Sequence, residues 1–249
     1  MSDYASIIVS DAHLGAAPAA YERAFRDFLG FAGAATDDLV INGDLFDFWF
    51  EYRTVILSRH FGTLRRLAEI VDGGTRVRLV GGNHDSWGGA FLRDEIGVEL
   101  IDGPVVTEIG GRRTYLAHGD GLGEGDLGYR VLKAVIRSGP ARLLFRELHP
   151  DWSAGLVRLV SRTESRHDQP EARSTRAAAL EAHAREVLET HAAIDLVALG
   201  HCHIPALIEI APGRHYLNTG DWLHHCTWAS VGPDGVQLHT WNQAEPADG

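Results

Sequence analysis

Three times within the first 85 residues, a short apolar run gives way abruptly to a polar cluster. Ser6 to Val9 leads into Asp11-Ala12-His13, and Leu39-Val40-Ile41 leads into Asn42-Gly43-Asp44. Val77 to Val80 leads into Gly81-Gly82-Asn83-His84-Asp85. Runs this short and apolar read as buried strands. Between them lie two stretches of helical spacing. One opens at Pro18 with Tyr21, Phe25, Phe28 and Leu29; the other covers about 55–71, with Ile56, Leu57, Phe61, Leu64, Leu67, Ala68 and Val71 on one face. Strand alternating with helix predicts a parallel sheet with crossover helices. In such sheets ligands bind beyond the carboxyl ends of the strands. That is where the polar clusters fall.

The texture changes after residue 100. Val105 to Ile109 and Arg113 to Ala117 read as a hairpin around Gly110-Gly111, with His118-Gly119-Asp120 at its end. Tyr129 to Arg166 is helical and arginine-rich, broken at Gly139-Pro140 and His149-Pro150. Residues 171–192 read as one Ala- and Glu-rich helix. Asp195 to Leu199 is a strand ending in Gly200-His201-Cys202-His203, and further strands to Trp241 predict an antiparallel half. The expected class is a mixed α/β (α+β) fold. At 249 residues the chain fits one domain over 1–242, with a helical insertion at about 129–170 and a flexible tail at 243–249.

The polar residues at the strand ends are Asp11, His13, Asp44, Asn83, His118, His201 and His203. Carboxylates, an amide oxygen and imidazoles together suit divalent transition ions. Seven such ligands are too many for one zinc and fit two neighbouring ions sharing a carboxylate. In an extended segment, residues i and i+2 face the same way, so Asp-x-His and His-x-His can each meet one metal or two adjacent ones. Gly15, Gly43, Gly82, Gly119 and Gly200 flank these positions and are expected to permit tight turns.

In order along the chain stand Asp11-Ala12-His13, Gly43-Asp44-Leu45-Phe46-Asp47, Gly82-Asn83-His84-Asp85, His118-Gly119-Asp120 and Gly200-His201-Cys202-His203. This succession resembles the calcineurin-like metallophosphoesterases. The resemblance implies a sandwich of two mixed β-sheets flanked by helices, with two divalent metals, Mn²⁺ first and Fe or Zn²⁺ as alternatives. One metal would take Asp11, His13, Asp44 and His203. The other would take Asp44, Asn83, His118 and His201, with Asp44 bridging. His84 is implied as a phosphate contact or proton donor held by Asp85, and Asp47 as a brace for His13 or its loop. Two-metal sites of this kind hydrolyse phosphoesters by polarising phosphate oxygen and lowering the pKa of water.

Within that superfamily, the extended second motif Gly43 to Trp49 resembles the UDP-2,3-diacylglucosamine hydrolases. So do His118-Gly119-Asp120 with the acidic loop after it and the segment Asn218-Thr219-Gly220-Asp221-Trp222. The resemblance implies cleavage of an acylated nucleotide-sugar to UMP and a lipid monosaccharide phosphate, with Asp126 near the substrate. It also implies that the insertion caps the acyl chains. From 129 to 166 that insertion carries eight basic residues against three acidic ones, with apolar positions at helical spacing. Basic amphipathic helices suit an anionic lipid or an anionic membrane surface. One position departs from the pattern: His84 stands where the branch has arginine. Another phosphodiester or phosphomonoester substrate therefore stays open. Cys202, between two histidine ligands, is expected to be a passive side chain.

Charge narrows the alternatives. The chain has 23 Lys+Arg against 34 Asp+Glu, a formal charge of -11, so no nucleic-acid partner is expected. A nuclease in particular is disfavoured. Lys133, the only lysine, has no phosphate-loop or Schiff-base context. Two cysteines, Cys202 and Cys226, give no disulfide framework and point to a reducing compartment. The first ten residues lack a signal-peptide pattern, and no apolar run approaches a membrane span. The expected location is cytoplasmic, peripheral to the inner face of the membrane. A non-enzymatic scaffold is disfavoured because every metal-type histidine is present.

Overall fold

The computed structural model describes residues 2–52, 54–82, 89–122, 147, 149 and 170–241. The expected tail, Asn83, His84, Asp85, Asp126 and nearly all of the expected insertion lie outside the described residues.

Strands β1 (Ser6–Val9), β2 (Asp38–Ile41), β3 (Arg76–Val80) and β4 (Glu99–Ile101) run parallel, in that spatial order. Helix α1 (Ala19–Ala35) crosses from β1 to β2, and α2 (Phe61–Asp72) crosses from β2 to β3. The chain later returns to this sheet. β10 (Thr227–Gly232) pairs antiparallel with β1, and β11 (Gly235–Thr240) with β10. The second sheet has the order β5 (Val105–Ile109), β6 (Arg112–Leu116), β7 (Leu196–Leu199), β9 (Arg214–Asn218), β8 (Ala206–Ala211). Helix α3 (Pro170–Thr190) precedes β7.

The period-2 alternation of the strands builds the layers. Ile7 and Val9 face the cluster under α1 and α2, which includes Phe25, Phe28, Leu64 and Leu67. Ile8 faces the other way, into a cluster between the sheets with Val40, Val80, Leu116, Leu196 and Leu217. Val197, Leu199 and Tyr216 pack outward against Leu180, Ala184 and Leu188 of α3. The result is helix, sheet, sheet, helix. Each fully buried side chain of this kind contributes about 1.5–3 kcal/mol.

Two expectations need correction. The second half is mixed rather than antiparallel: β6 pairs parallel with β7 and β7 parallel with β9, while β5–β6, β8–β9, β1–β10 and β10–β11 are antiparallel. The second helix starts at Phe61, not near Val55. Val55, Ile56 and Phe61 are exposed, and the buried face begins at Thr63 and Leu64. Apolar residues at helical spacing thus extended the helix past its true start.

Candidate metal centre

The loops after β1 and β2 continue the pairing of their strands. Asp11 N donates to Gly43 O, His13 N to Asp44 O, Leu14 N to Leu45 O and Asp47 N to Leu14 O, all at 2.9–3.1 Å. Asp47 therefore joins its loop to that of His13 through its backbone. From the second sheet, Gly200 N donates to His118 O at 2.7 Å, and His201 N to the Asp11 carboxylate at 3.1 Å. These bonds bring the ends of β1, β2, β6 and β7 to one place.

The ligand-type residues do not converge through strand alternation, as the sequence had suggested. Asp11 (φ 54°), His13 (44°), Asp44 (51°), His201 (68°) and His203 (62°) all have left-handed backbone. Among the described residues only Cys226 shares this without being glycine. Each such residue costs on the order of 1–3 kcal/mol and persists where its surroundings overdetermine it. The chain turns sharply at these five candidate ligands, and that turning aims their side chains inward.

Two groups result, Asp11 with His13 and His203, and Asp44 with His118 and His201; in each, one ligand atom per residue lies within 4.8 Å of the others. The groups adjoin. His13 Nε2 is 3.8 Å from both Asp11 Oδ1 and Asp44 Oδ2, and His118 Nε2 is 3.1 Å from Asp44 Oδ2 and 4.0 Å from Asp11 Oδ1. His13 Nε2 and His203 Nε2 are 3.2 Å apart. Asp11 and Asp44 are buried to 0% and 1% exposure.

Electrostatics agree with a cation-binding role. Burial pushes the Asp11 carboxyl up despite the opposing His118 and His203. Burial also opposes charge on His118, but Asp44 and Asp11 outweigh it and hold that imidazole well above its usual range. His201 is driven down to about 3 by burial and by His118, leaving a neutral ring of the kind that can bind a metal. His118 Nδ1 is bonded to Asn42 O at 2.9 Å, while its buried Nε2 faces Asp44 Oδ2 at 3.1 Å without a well-directed hydrogen bond among the described residues. A buried imidazole nitrogen aimed at two buried carboxylates costs free energy that a divalent ion would recover. The residues fit two such ions.

Close approach, rather than turning, explains two of the glycines. A Cβ on Gly82 would sit 2.1 Å from Asp44 Oδ1, and one on Gly200 2.8 Å from Asp11 Oδ2. Neither has positive φ. Burial pushes the Cys202 thiol up to about 11.

Asp221 had been assigned no role from sequence. It is fully buried after β9, with Oδ2 at 3.3 Å from His203 Nδ1. Burial raises its pKa, but bonds from His203 and His224 prevail and hold it well below the usual carboxylate range. The available signal was an acidic residue followed by histidines three and four positions on. Asn42 also escaped notice: its Nδ2 donates to Ala117 O at 2.9 Å, supporting the His118 turn.

The calcineurin-like phosphoesterase model matches residues 6–205. The chain belongs to that family. With its two metal-binding clusters it is a metal-dependent hydrolase. Among curated proteins, this phosphoesterase is 29% identical to the UDP-2,3-diacylglucosamine hydrolase of Porphyromonas gingivalis, covering 88% of this chain and 91% of that one. It is 31% identical to the enzyme of the same name from Pseudomonas putida strain F1, covering 93% and 97%. The phosphoesterase thus falls in the branch that its sequence resembled. Among its described residues, no helix is long and apolar enough to cross a membrane.

Proposed function

We propose that this phosphoesterase hydrolyses UDP-2,3-diacylglucosamine to UMP and 2,3-diacylglucosamine 1-phosphate, a step of lipid A biosynthesis. The observation that supports it is the near full-length similarity to hydrolases of that name, combined with two adjoining metal-type clusters. In this reading Asp11, His13, Asp44 and His203 hold one ion. Asp44, Asn83, His118 and His201 hold the other, with Asp44 shared. The mixed oxygen and nitrogen donors suit Mn²⁺, with Fe or Zn²⁺ as substitutes. When bound, such a pair supplies Lewis acidity toward a phosphoryl oxygen and lowers the pKa of water. The overall change forms one water oxygen–phosphorus bond and breaks one bridging phosphorus–oxygen bond. His84 contacts the phosphate and gives a proton to the departing oxygen, Asp85 orients His84, and Asp126 lies beside the substrate.

The basic segment at 129–166 caps the acyl chains and meets an anionic membrane surface from the cytoplasmic side. Replacing His84 with Ala should lower kcat about 10²–10⁴-fold, the usual contribution of a proton donor, with metal content kept. Loss of metal instead would make His84 a ligand.

One residue favours a second reading, cleavage of another nucleotide or phosphodiester. His84 can donate a proton to an alkoxide leaving group, which the branch's arginine does not do. Comparing UMP release from UDP-2,3-diacylglucosamine and from UDP-glucosamine with hydrolysis of bis-p-nitrophenyl phosphate decides between them. The proposed function predicts a marked preference for the acylated substrate. Equal rates on all three contradict it.

A further inference from the structure

The two halves of the centre hold their histidines differently. His118 spends Nδ1 on a backbone carbonyl, that of Asn42 at 2.9 Å. His203 instead faces a carboxylate, Asp221, whose Oδ2 lies 3.3 Å from its Nδ1. The two oxygens of Asp221 have separate duties. Oδ1 accepts from the backbone of His224 at 2.9 Å and of His225 at 3.1 Å, and lies 3.2 Å from His225 Nδ1. Oδ2 is hydrogen-bonded to His224 Nδ1 at 3.0 Å and lies 3.3 Å from His203 Nδ1.

Asp221 is also firmly held. The next residue, Trp222, is buried between Phe25 and Phe28, with ring centroids 5.0 and 4.9 Å away. Its backbone N donates to Asp11 O at 3.1 Å. One side of this loop is thus pinned to the turn that carries a candidate ligand, and the other side to the ring of a second.

We propose that Asp221 is a positioning residue of one half of the metal centre. By accepting the Nδ1 proton of His203, it leaves Nε2 unprotonated toward Asp11 and His13 and raises the ring's donor strength. A carboxylate behind a ligating histidine does both. The inference rests on the two-metal reading of the centre.

Substitutions separate this role from turn capping. In Asp221→Asn an oxygen can still accept from the backbone of His224 and His225, but an amide donor replaces Oδ2. That donor faces His203 Nδ1 and forces the ring proton onto Nε2, the metal side. In Asp221→Ser a hydroxyl can still cap the turn, and no donor is imposed on His203. A capping role alone predicts that both variants behave like the parent. The positioning role predicts metal affinity in the order Asp, Ser, Asn, although Asn is the nearest in shape.

The test is calorimetric titration of metal-free protein with Mn²⁺, with electron paramagnetic resonance at each addition. The parent should bind two ions and show the signal of a coupled pair. Asp221→Asn should lose about 10–100-fold in affinity at one site only and give the signal of isolated Mn²⁺ at one equivalent. Should Asn fail to fold, an intermediate loss at one site in Asp221→Ser carries the same conclusion. Two undiminished sites in either folded variant, or an equal loss at both, overturn the inference while leaving the two-metal reading intact. A parent that binds no Mn²⁺ overturns both.

Discussion

Left-handed backbone at Asp11, His13, Asp44, His201 and His203 is local strain accepted at the place where the charges must meet. The same crowding fixes Gly82. Gly82→Ala would push a methyl group against Asp44 Oδ1, which lies 2.1 Å from the required position. It should cut Mn²⁺ occupancy and activity at least about 10-fold, as disturbed ligand support does; metal analysis of the purified variant checks this. The ligand types were legible in the sequence, because few residues bind divalent ions and these sit in Asp-x-His and His-x-His spacing. Their conformation was not legible, since nothing in aspartate or histidine encodes the sign of φ. Asp221 escaped for a different reason. It follows β9, outside the Asp-x-His and His-x-His spacings, and only the folded β7–β9 pairing brings its loop beside that of His203.

Among the elements, α1 carries weight beyond its own length. Phe28 packs against Trp222, Trp228 and Trp241, with ring centroids 4.9, 5.8 and 5.6 Å away. Phe28→Ala should cost about 3–5 kcal/mol in urea denaturation, and it should also loosen the Asp221 loop through Trp222. Arg78 on β3 is fully buried, paired with Asp38 on β2 and donating to Glu108 O at 3.2 Å across the sheets. Arg78→Ala strands that carboxylate and should cost about 3–5 kcal/mol, whereas Arg78→Met should cost less. Parallel pairing in the first sheet followed from its strand-helix rhythm. The second sheet was misread because local hairpin logic would pair β7 with β8, whereas β8 turns back on β9 and β9 takes the place beside β7.

For the whole molecule, the formal charge of -11 conceals two unlike parts. The segment from 129 to 166 is basic, and the rest is more acidic than the total implies. If that segment meets anionic lipid, co-sedimentation with phosphatidylglycerol vesicles should weaken as salt rises from 0.05 to 0.5 M, because screening shortens the reach of the charges. Binding insensitive to salt would contradict an electrostatic contact. The acidic remainder concentrates its functional negatives, Asp11 and Asp44, where two sheets and four strand ends converge. The most direct measurement strips the protein of metal and follows UMP release from UDP-2,3-diacylglucosamine as Mn²⁺ is added back. No turnover is expected in chelator, and full recovery only as the second equivalent binds. Turnover indifferent to strong chelation, or complete at one equivalent, would contradict the two-metal reading.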